Sequence, residues 1–254
     1  MPCILITGAS SGIGAALARH YAGPGVALVL VARDPNRLAA VAQACRAAGA
    51  GVRCERLDVR ERAAIGARIR AVDADTPLDL VVVGAGVNGG HPTGALETEA
   101  TAFETLDINL TGAMNVVLPA VSLMSARGRG QIAMISSLAA FAPLPDAPAY
   151  SGTKAALVAH GLALRQKLRP LGVRVNVVTP GYVRTPMGNY TGWRPLEMSA
   201  ERAALHIARG LARDREIVAF PRSLAALARL SGLVPEGVRR LAMGAFHFEM
   251  RPRR

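Results

Sequence analysis

Two strand-length runs, Ala27-Leu28-Val29-Leu30-Val31 and Leu80-Val81-Val82-Val83, contain no polar residue. A strand with one face in water alternates apolar and polar side chains, so runs of this kind must be covered on both faces. Similar short runs recur and predict strands at 3–7, 26–32, 52–57, 79–83, 131–136, 173–178 and 216–219. Between them the apolar spacing turns helical and predicts helices at 12–22, 35–48, 60–73, 98–126, 149–169 and 199–213. Buried strands alternating with helices define an α/β fold with a doubly wound parallel sheet. Right-handed crossovers bring the carboxyl ends of such strands to one edge, where a ligand sits. The 254 residues suit a single domain of this type. The main unit is expected over 1–221, with 222–254 as a basic amphipathic extension of the same domain.

The formal net charge is +12, and nearly all the positive charge is Arg. The arginines are scattered (Arg19, Arg53, Arg68, Arg127, Arg202) and read as solvated surface. No basic stripe is interleaved with aromatic residues, so a nucleic-acid partner is not expected. Cys3, Cys45 and Cys54 have no metal or redox spacing, which fits buried thiols in a reducing compartment. The chain enters its first strand without a charged leader, and no apolar run is judged long enough to span a bilayer. A soluble cytoplasmic protein without a signal peptide or metal is therefore the expectation.

The first strand runs into Thr7-Gly8-Ala9-Ser10-Ser11-Gly12-Ile13-Gly14, and a helix follows. Glycines permit a tight turn and close approach of backbone to a pyrophosphate, and the helix N-terminus supplies free N–H groups and a favourable dipole. Position at the start of the first βαβ unit separates this turn from an ordinary βα connection. Asp58-Val59 and Gly84-Ala85-Gly86 end the third and fourth strands on the same edge. The Asp58 carboxylate either accepts from an adenine amino group or caps the next helix. Small residues at 84–86 leave room for the adenine ring.

Tyr150 and Lys154 stand four apart at the start of a predicted helix, hence on one face. An ammonium beside a phenol lowers its pKa from about 10, giving an acid–base group usable near neutral pH. Lys154 and Lys167 are the only lysines in this Arg-rich chain, so a compact ammonium at 154 is notable. Ser136-Ser137 ends the fifth strand on the ligand edge; the Ser137 hydroxyl can donate to a substrate oxygen or to Tyr150, or act as a turn cap. Asn109, a poor helix former inside 98–126, either bends that helix and binds a water or is a polar surface residue.

Taken in order, Thr7-Gly8-x-x-x-Gly12-Ile13-Gly14, Asn109, Ser137, Tyr150-x-x-x-Lys154 and Pro180-Gly181-Tyr182-Val183-Arg184-Thr185 resemble the short-chain dehydrogenases/reductases over roughly residues 3 to 190. The resemblance implies a Rossmann-like domain that carries both a nicotinamide dinucleotide and the active site. It implies hydride transfer between cofactor and a carbonyl or secondary alcohol, with Tyr150 as acid/base and Ser137 polarising the substrate oxygen. Lys154 would hold the nicotinamide ribose and lower the Tyr150 pKa, and Asn109 would anchor a relay water. Pro180, Gly181, Val183 and Thr185 would cradle the nicotinamide end.

Two stretches depart from the family pattern. Val83-Gly84-Ala85-Gly86 stands where Asn-Asn-Ala-Gly is usual, removing an asparagine that braces the central sheet. A basic tail also replaces the usual glycine-rich ending, as in members with hydrophobic or lipid-like substrates. A silent nucleotide sensor on the same fold would usually lack the tyrosine or lysine, and an epimerase or dehydratase would need a larger C-terminal region.

The family's NAD-selecting acidic position falls on Ala32, and Arg33, assisted by Arg37, suits the 2′-phosphate of NADP. Shifting the register lets Asp34 hold the ribose of NAD instead. The resemblance places Leu138, Phe141, Leu144, Val183, Met187, Tyr190, Trp193 and Met198 over the site, implying a substrate apolar around its carbonyl. The apolar faces of 98–126 and 149–169 imply a homodimer or homotetramer rather than a monomer. Segment 223–248 reads as two amphipathic helices broken at Pro235, which touch the substrate entrance, an anionic membrane surface, or the protein's own sheet.

Overall fold

Seven strands do pair in parallel, and their order explains where a ligand must bind. β1 (Cys3–Thr7), β2 (Ala27–Ala32), β3 (Gly51–Arg56), β4 (Leu80–Val83), β5 (Gly130–Ile135) and β6 (Val173–Pro180) are followed by two-residue strands β7 (Val183–Arg184), β8 (Tyr190–Thr191) and β9 (Met198–Ser199). β10 (Ile217–Phe220) completes the main sheet, ordered β10-β6-β5-β4-β1-β2-β3. The computed structural model describes all residues except 91–94, 187–189, 192–193, 235–248 and 251–254. From β1 the chain moves outward to β3 and then returns to β4 on the other side of β1, so strand order reverses between β1 and β4. The crevice beyond the carboxyl ends at such a switch point is the ligand position of open α/β sheets.

Alternation along β1 sends Ile4 and Ile6 to one face and Cys3 and Leu5 to the other. The first face packs Leu17, Leu38, Val41, Ile207 and Leu211 from α1 (Gly12–Tyr21), α2 (Pro35–Ala47) and α7 (Ala200–Ala212). The second packs Ile65, Val116, Met124 and Leu157 from α3 (Arg62–Asp75), α5 (Gly112–Arg127) and α6 (Pro148–Leu168). β3 is the sheet edge and mostly exposed, which accommodates Arg53 and Arg56.

The helix expected over 98–126 is continuous but changes winding. α4 (Glu99–Leu106) passes through a π turn, Asp107–Thr111, into α5. This 29-residue stretch, Glu99–Arg127, is long and apolar enough to cross a bilayer, correcting the sequence expectation that none is. Its placement is that of a core helix: Val116, Val117, Ala120 and Met124 are buried on the sheet, and the buried Asn115 amide donates to the Val59 carbonyl.

The tail only partly matches the expected helix pair. α8 (Arg222–Leu230) and a 3₁₀ turn, Ser231–Leu233, dock on the protein itself, burying Ala225 and Ala228 against Leu138. The second expected helix and the break at Pro235 lie outside the described residues. At the chain's end β11 (Glu249–Met250) pairs antiparallel with β8.

Candidate active site

The glycine turn after β1 closes so tightly that side chains are excluded. A Cβ on Gly8 would lie 2.8 Å from the Gly84 carbonyl oxygen, and one on Gly14 would lie 2.3 Å from the Gly8 carbonyl oxygen. Gly8 also has φ +71°, in the left-handed region. Ser11 occupies the N-cap position of α1, yet its hydroxyl does not cap the helix. The helix N-terminus is therefore presented to the cleft uncapped, and Gly8, Ser10, Ser11, Gly12, Ile13 and Gly14 all line it. This cradle fits the pyrophosphate of a dinucleotide.

Thr7, which sequence reasoning did not single out, supplies the missing brace at the end of β4. Fully buried, its Oγ1 accepts from the Gly84 and Ala85 N–H groups at 3.0 and 3.3 Å and donates to the Val82 carbonyl at 3.4 Å. A threonine on β1 thus ties the two strands that flank the switch point. Gly84, Ala85 and Gly86 line the cleft as expected.

Asn109 is buried, which excludes the surface reading. Its Oδ1 accepts from the Val87 N–H at 2.7 Å, and its Nδ2 donates to the Val87 carbonyl at 2.8 Å and to Thr153 Oγ1 at 3.5 Å. It sits in the π turn, behind the cleft wall, where it fastens the β4 loop to α6.

The end of β5 is fastened to α6 at consecutive residues. Lys154 Nζ donates to the Ile135 carbonyl at 3.0 Å, and Ser136 Oγ donates to the Lys154 carbonyl at 2.7 Å. Ser137 Oγ accepts from the Ala139 N–H at 3.1 Å, the turn-cap role, and lies near enough to the Tyr150 phenol to favour its ionised form. The Lys154 ammonium lies 5.5 Å from the Tyr150 ring centroid. Burial pushes the Tyr150 phenol up and the Lys154 ammonium down to about 8. The expected lowering of the phenol by its neighbouring cation is not found: burial raises the phenol, and the opposing influence comes from Ser137.

Glu97 is a second residue that sequence reasoning missed. Its carboxylate accepts from the Gly90 N–H at 2.8 Å and from the Ala149 N–H at 3.0 Å. An acidic group at a helix N-terminus is favourable, and here it joins the β4 loop to the first turn of α6, next to Tyr150. No local pattern could reveal it, because its partner on α6 is 52 residues away.

At the other end of the cleft, Asp34 caps α2: its carboxylate accepts from the Asn36 and Arg37 N–H groups and from Arg37 Nε at 2.5 Å. Asp58 does not cap α3, whose N-cap position is Glu61. Instead it accepts from the Arg60 N–H and guanidinium, which hold its carboxyl below the usual range, and Arg33 Nη1 lies 3.7 Å away. Arg33, Arg37, Asp58 and Val59 all line the cleft.

The cleft encloses about 1730 Å³, more than the ~300–1,000 Å³ usual for small-ligand pockets. Pro180, Gly181, Val183 and Thr185 line it near Ser137, Tyr150 and Lys154, with Leu138 and Leu144. Phe141 and Met198 do not: they pack against the α8 cluster and the core. Met187, Trp193 and the Tyr190 side chain lie outside the described residues. Lining residues not foreseen include Ala142, Asp146, Arg194 and Glu197; from the tail, Leu224, Leu227, Ala228 and Leu230 also line the cleft, in keeping with the substrate-entrance alternative for that segment. Among the described residues no His, Cys, Asp or Glu cluster suits a metal.

A switch-point crevice with a glycine cradle and a Ser–Tyr–Lys cluster defines a dinucleotide-binding α/β protein with room for a second ligand. Residues 2–193 match the short chain dehydrogenase family, and the chain belongs to it. It is 36% identical over 233 residues, 91% of this chain and 92% of the relative, to an uncharacterized oxidoreductase of Myxococcus xanthus. Its fold is similar to a short-chain dehydrogenase from Sphingobium yanoikuyae in complex with NADPH (TM-score 0.80, 29% identity, 96% of both chains). A short chain dehydrogenase from Mycobacterium paratuberculosis bound to NAD is also similar (TM-score 0.74, 26% identity, 86% of this chain and 94% of that one). The protein is thus an oxidoreductase of a family that uses NAD or NADP with small-molecule substrates.

Proposed function

We propose that this protein transfers a hydride between NADP(H) and the carbonyl or secondary alcohol of an apolar small molecule. The observation that carries this reading is the buried Lys154 ammonium 5.5 Å from the Tyr150 ring centroid, with Ser137, Tyr150 and Lys154 lining the same cleft as the glycine cradle. When bound, the cofactor supplies or accepts the hydride. In reduction, Tyr150 donates its hydroxyl proton to the substrate oxygen, and Ser137 donates a hydrogen bond that polarises the same atom. Lys154 would hold the nicotinamide ribose when the cofactor is bound, and its positive charge favours phenolate once the proton leaves. Asn109 contributes by fixing the loop behind the site, and any water it helps to hold would return the proton. A carbonyl reductase screen, in which oxidation of NADPH is followed against ketones and aldehydes, tests this reading; no turnover with any of them overturns it.

NADP is preferred over NAD on the geometry of Asp34. The rival reading needs that carboxylate on the ribose hydroxyls, yet it is committed to three donors at the start of α2. Ala32 has no group to offer, while Arg33 is half-exposed and lines the cleft. A charge-assisted bond is worth about 1.5–3 kcal/mol, so kcat/KM for NADPH should exceed that for NADH by about ten- to a hundredfold. Arg33→Ala should remove most of that ratio. Equal values in the wild-type protein would reject the assignment, and the Mycobacterium neighbour bound to NAD shows that the fold accepts either cofactor.

A homo-oligomer also follows from the surface. Phe103 and Leu106, i and i+3 on α4, and Leu118 on α5 are large apolar side chains left exposed. A second copy placed against them by a two-fold axis would cover them. Light scattering at micromolar concentration should return at least twice the 26.5 kDa chain mass; a monomer mass would reject the assembly.

A further inference from the structure

The cleft does not stop at Tyr150. It continues along α8, where Leu224, Leu227, Ala228 and Ser231 line it. Their spacing, i, i+3, i+4 and i+7, puts them on one face of the helix. Leu138, Ala142 and Leu144, from the segment between β5 and α6, also line it there. Ala225 and Ala228 are buried against Leu138, which anchors α8. The arginines of α8 stay out of the cleft lining: neither Arg222 nor Arg229 contributes, and the Arg229 guanidinium stacks 5.2 Å from the Phe141 ring centroid.

Leu227 and Leu230 retain 61% and 56% of their surface in contact with solvent although both line the cleft. Two such leucines on a nine-residue helix, on the side that faces the active site, are an apolar surface without a described partner. Arg194, a cation elsewhere in the cleft lining, is paired with Glu197 at 2.6 Å.

We propose that α8 forms one wall of a second substrate subsite, an apolar trough that takes a hydrocarbon chain attached to the reacting carbonyl. The substrate class is then an alkyl ketone or the matching alcohol with an extended chain, rather than a compact or ionic carbonyl compound. The assignment rests on the hydride-transfer reading for the position of the carbonyl, and on α8 alone for the direction of the chain. Each methylene fully buried in such a trough should improve kcat/KM by about fourfold, until the trough is filled.

The test uses the full chain with saturating NADPH and the 2-alkanones from four to ten carbons. We expect kcat/KM to climb with chain length, mainly through KM. Leu227→Asp, at an exposed position that folding tolerates, should flatten the climb by placing a carboxylate in the trough. Arg222→Ala, on the other side of α8, should keep it. Calorimetric binding of the same ketones to the protein with NADP bound gives a second reading that needs no turnover. Affinity that rises with chain length and loses that dependence in Leu227→Asp supports the trough even if no ketone is reduced, and then only the hydride-transfer reading fails. A flat series in both measurements, or an undiminished climb in Leu227→Asp, overturns the trough.

Discussion

Tyr150→Phe should lower kcat by about a thousandfold while leaving the Kd for NADPH within about twofold. General acid–base catalysis by a positioned side chain is worth ~10²–10⁴ in rate, and the substitution removes only the transferable proton. The ring keeps its place in the cleft lining, so binding persists. The direction of the Tyr150 pKa adds a condition. Burial raises it, so the free protein holds the phenol in its neutral, donating form throughout the physiological range. Steady-state assay of ketone reduction, with cofactor affinity from fluorescence titration, checks both halves. Activity close to that of the wild-type protein would remove Tyr150 from the mechanism.

Lys154→Met should separate stability from activity. The ammonium is pushed down to about 8 by burial, from an ordinary value of 10.5. Below pH 8 both folded and unfolded chains carry the charge, so the folded state bears the whole cost of desolvating it. That cost is on the order of 3 kcal/mol at one pH unit per 1.36 kcal/mol, and it fades as pH rises from about 8 to 10.5. An apolar chain of similar length removes it, so at pH 7 the variant should melt several degrees higher, at about 2–4 °C per kcal/mol for a chain of this size. Turnover and cofactor affinity should both fall, because the ribose loses its donor and the developing phenolate loses its countercharge. In the wild-type protein kcat/KM for reduction should decline as pH rises through about 8, since kcat/KM reports groups of the free enzyme. Calorimetric melting and a pH–rate profile measure the two effects; a variant that is less stable at pH 7 and equally active would contradict them.

Much of this site was legible from local pattern. Gly8, Gly12 and Gly14 follow an apolar strand and open a helix, a context that leaves few readings, and Tyr150 and Lys154 share a helical face by spacing alone. What pattern could not supply was the partner of each polar group across the fold. Thr7 braces Gly84 from 77 residues away, and Glu97 reaches Ala149 from 52. Asp58 reads as a helix cap or an adenine acceptor, and only the fold shows Arg60 occupying it and Arg33 beside it. The change of winding at Asn109 was foreseen only as a bend, because a poor helix former does not specify i→i+5 backbone bonding. The tail was legible as an amphipathic helix with three alternative contacts, the substrate entrance among them, since a hydrophobic stripe does not say what it faces.

The central claim is hydride transfer from NADPH to a ketone at Tyr150, and isotopic transfer tests it most directly. The protein is incubated with an apolar 2-alkanone and NADPH deuterated at the reactive position of the nicotinamide, and the product alcohol is examined by mass spectrometry. The account predicts an alcohol one mass unit heavier, formed stoichiometrically with oxidised cofactor and absent in Tyr150→Phe. Unlabelled alcohol, an equal yield from Tyr150→Phe, or no alcohol with either NADPH or NADH across the ketone series would contradict it.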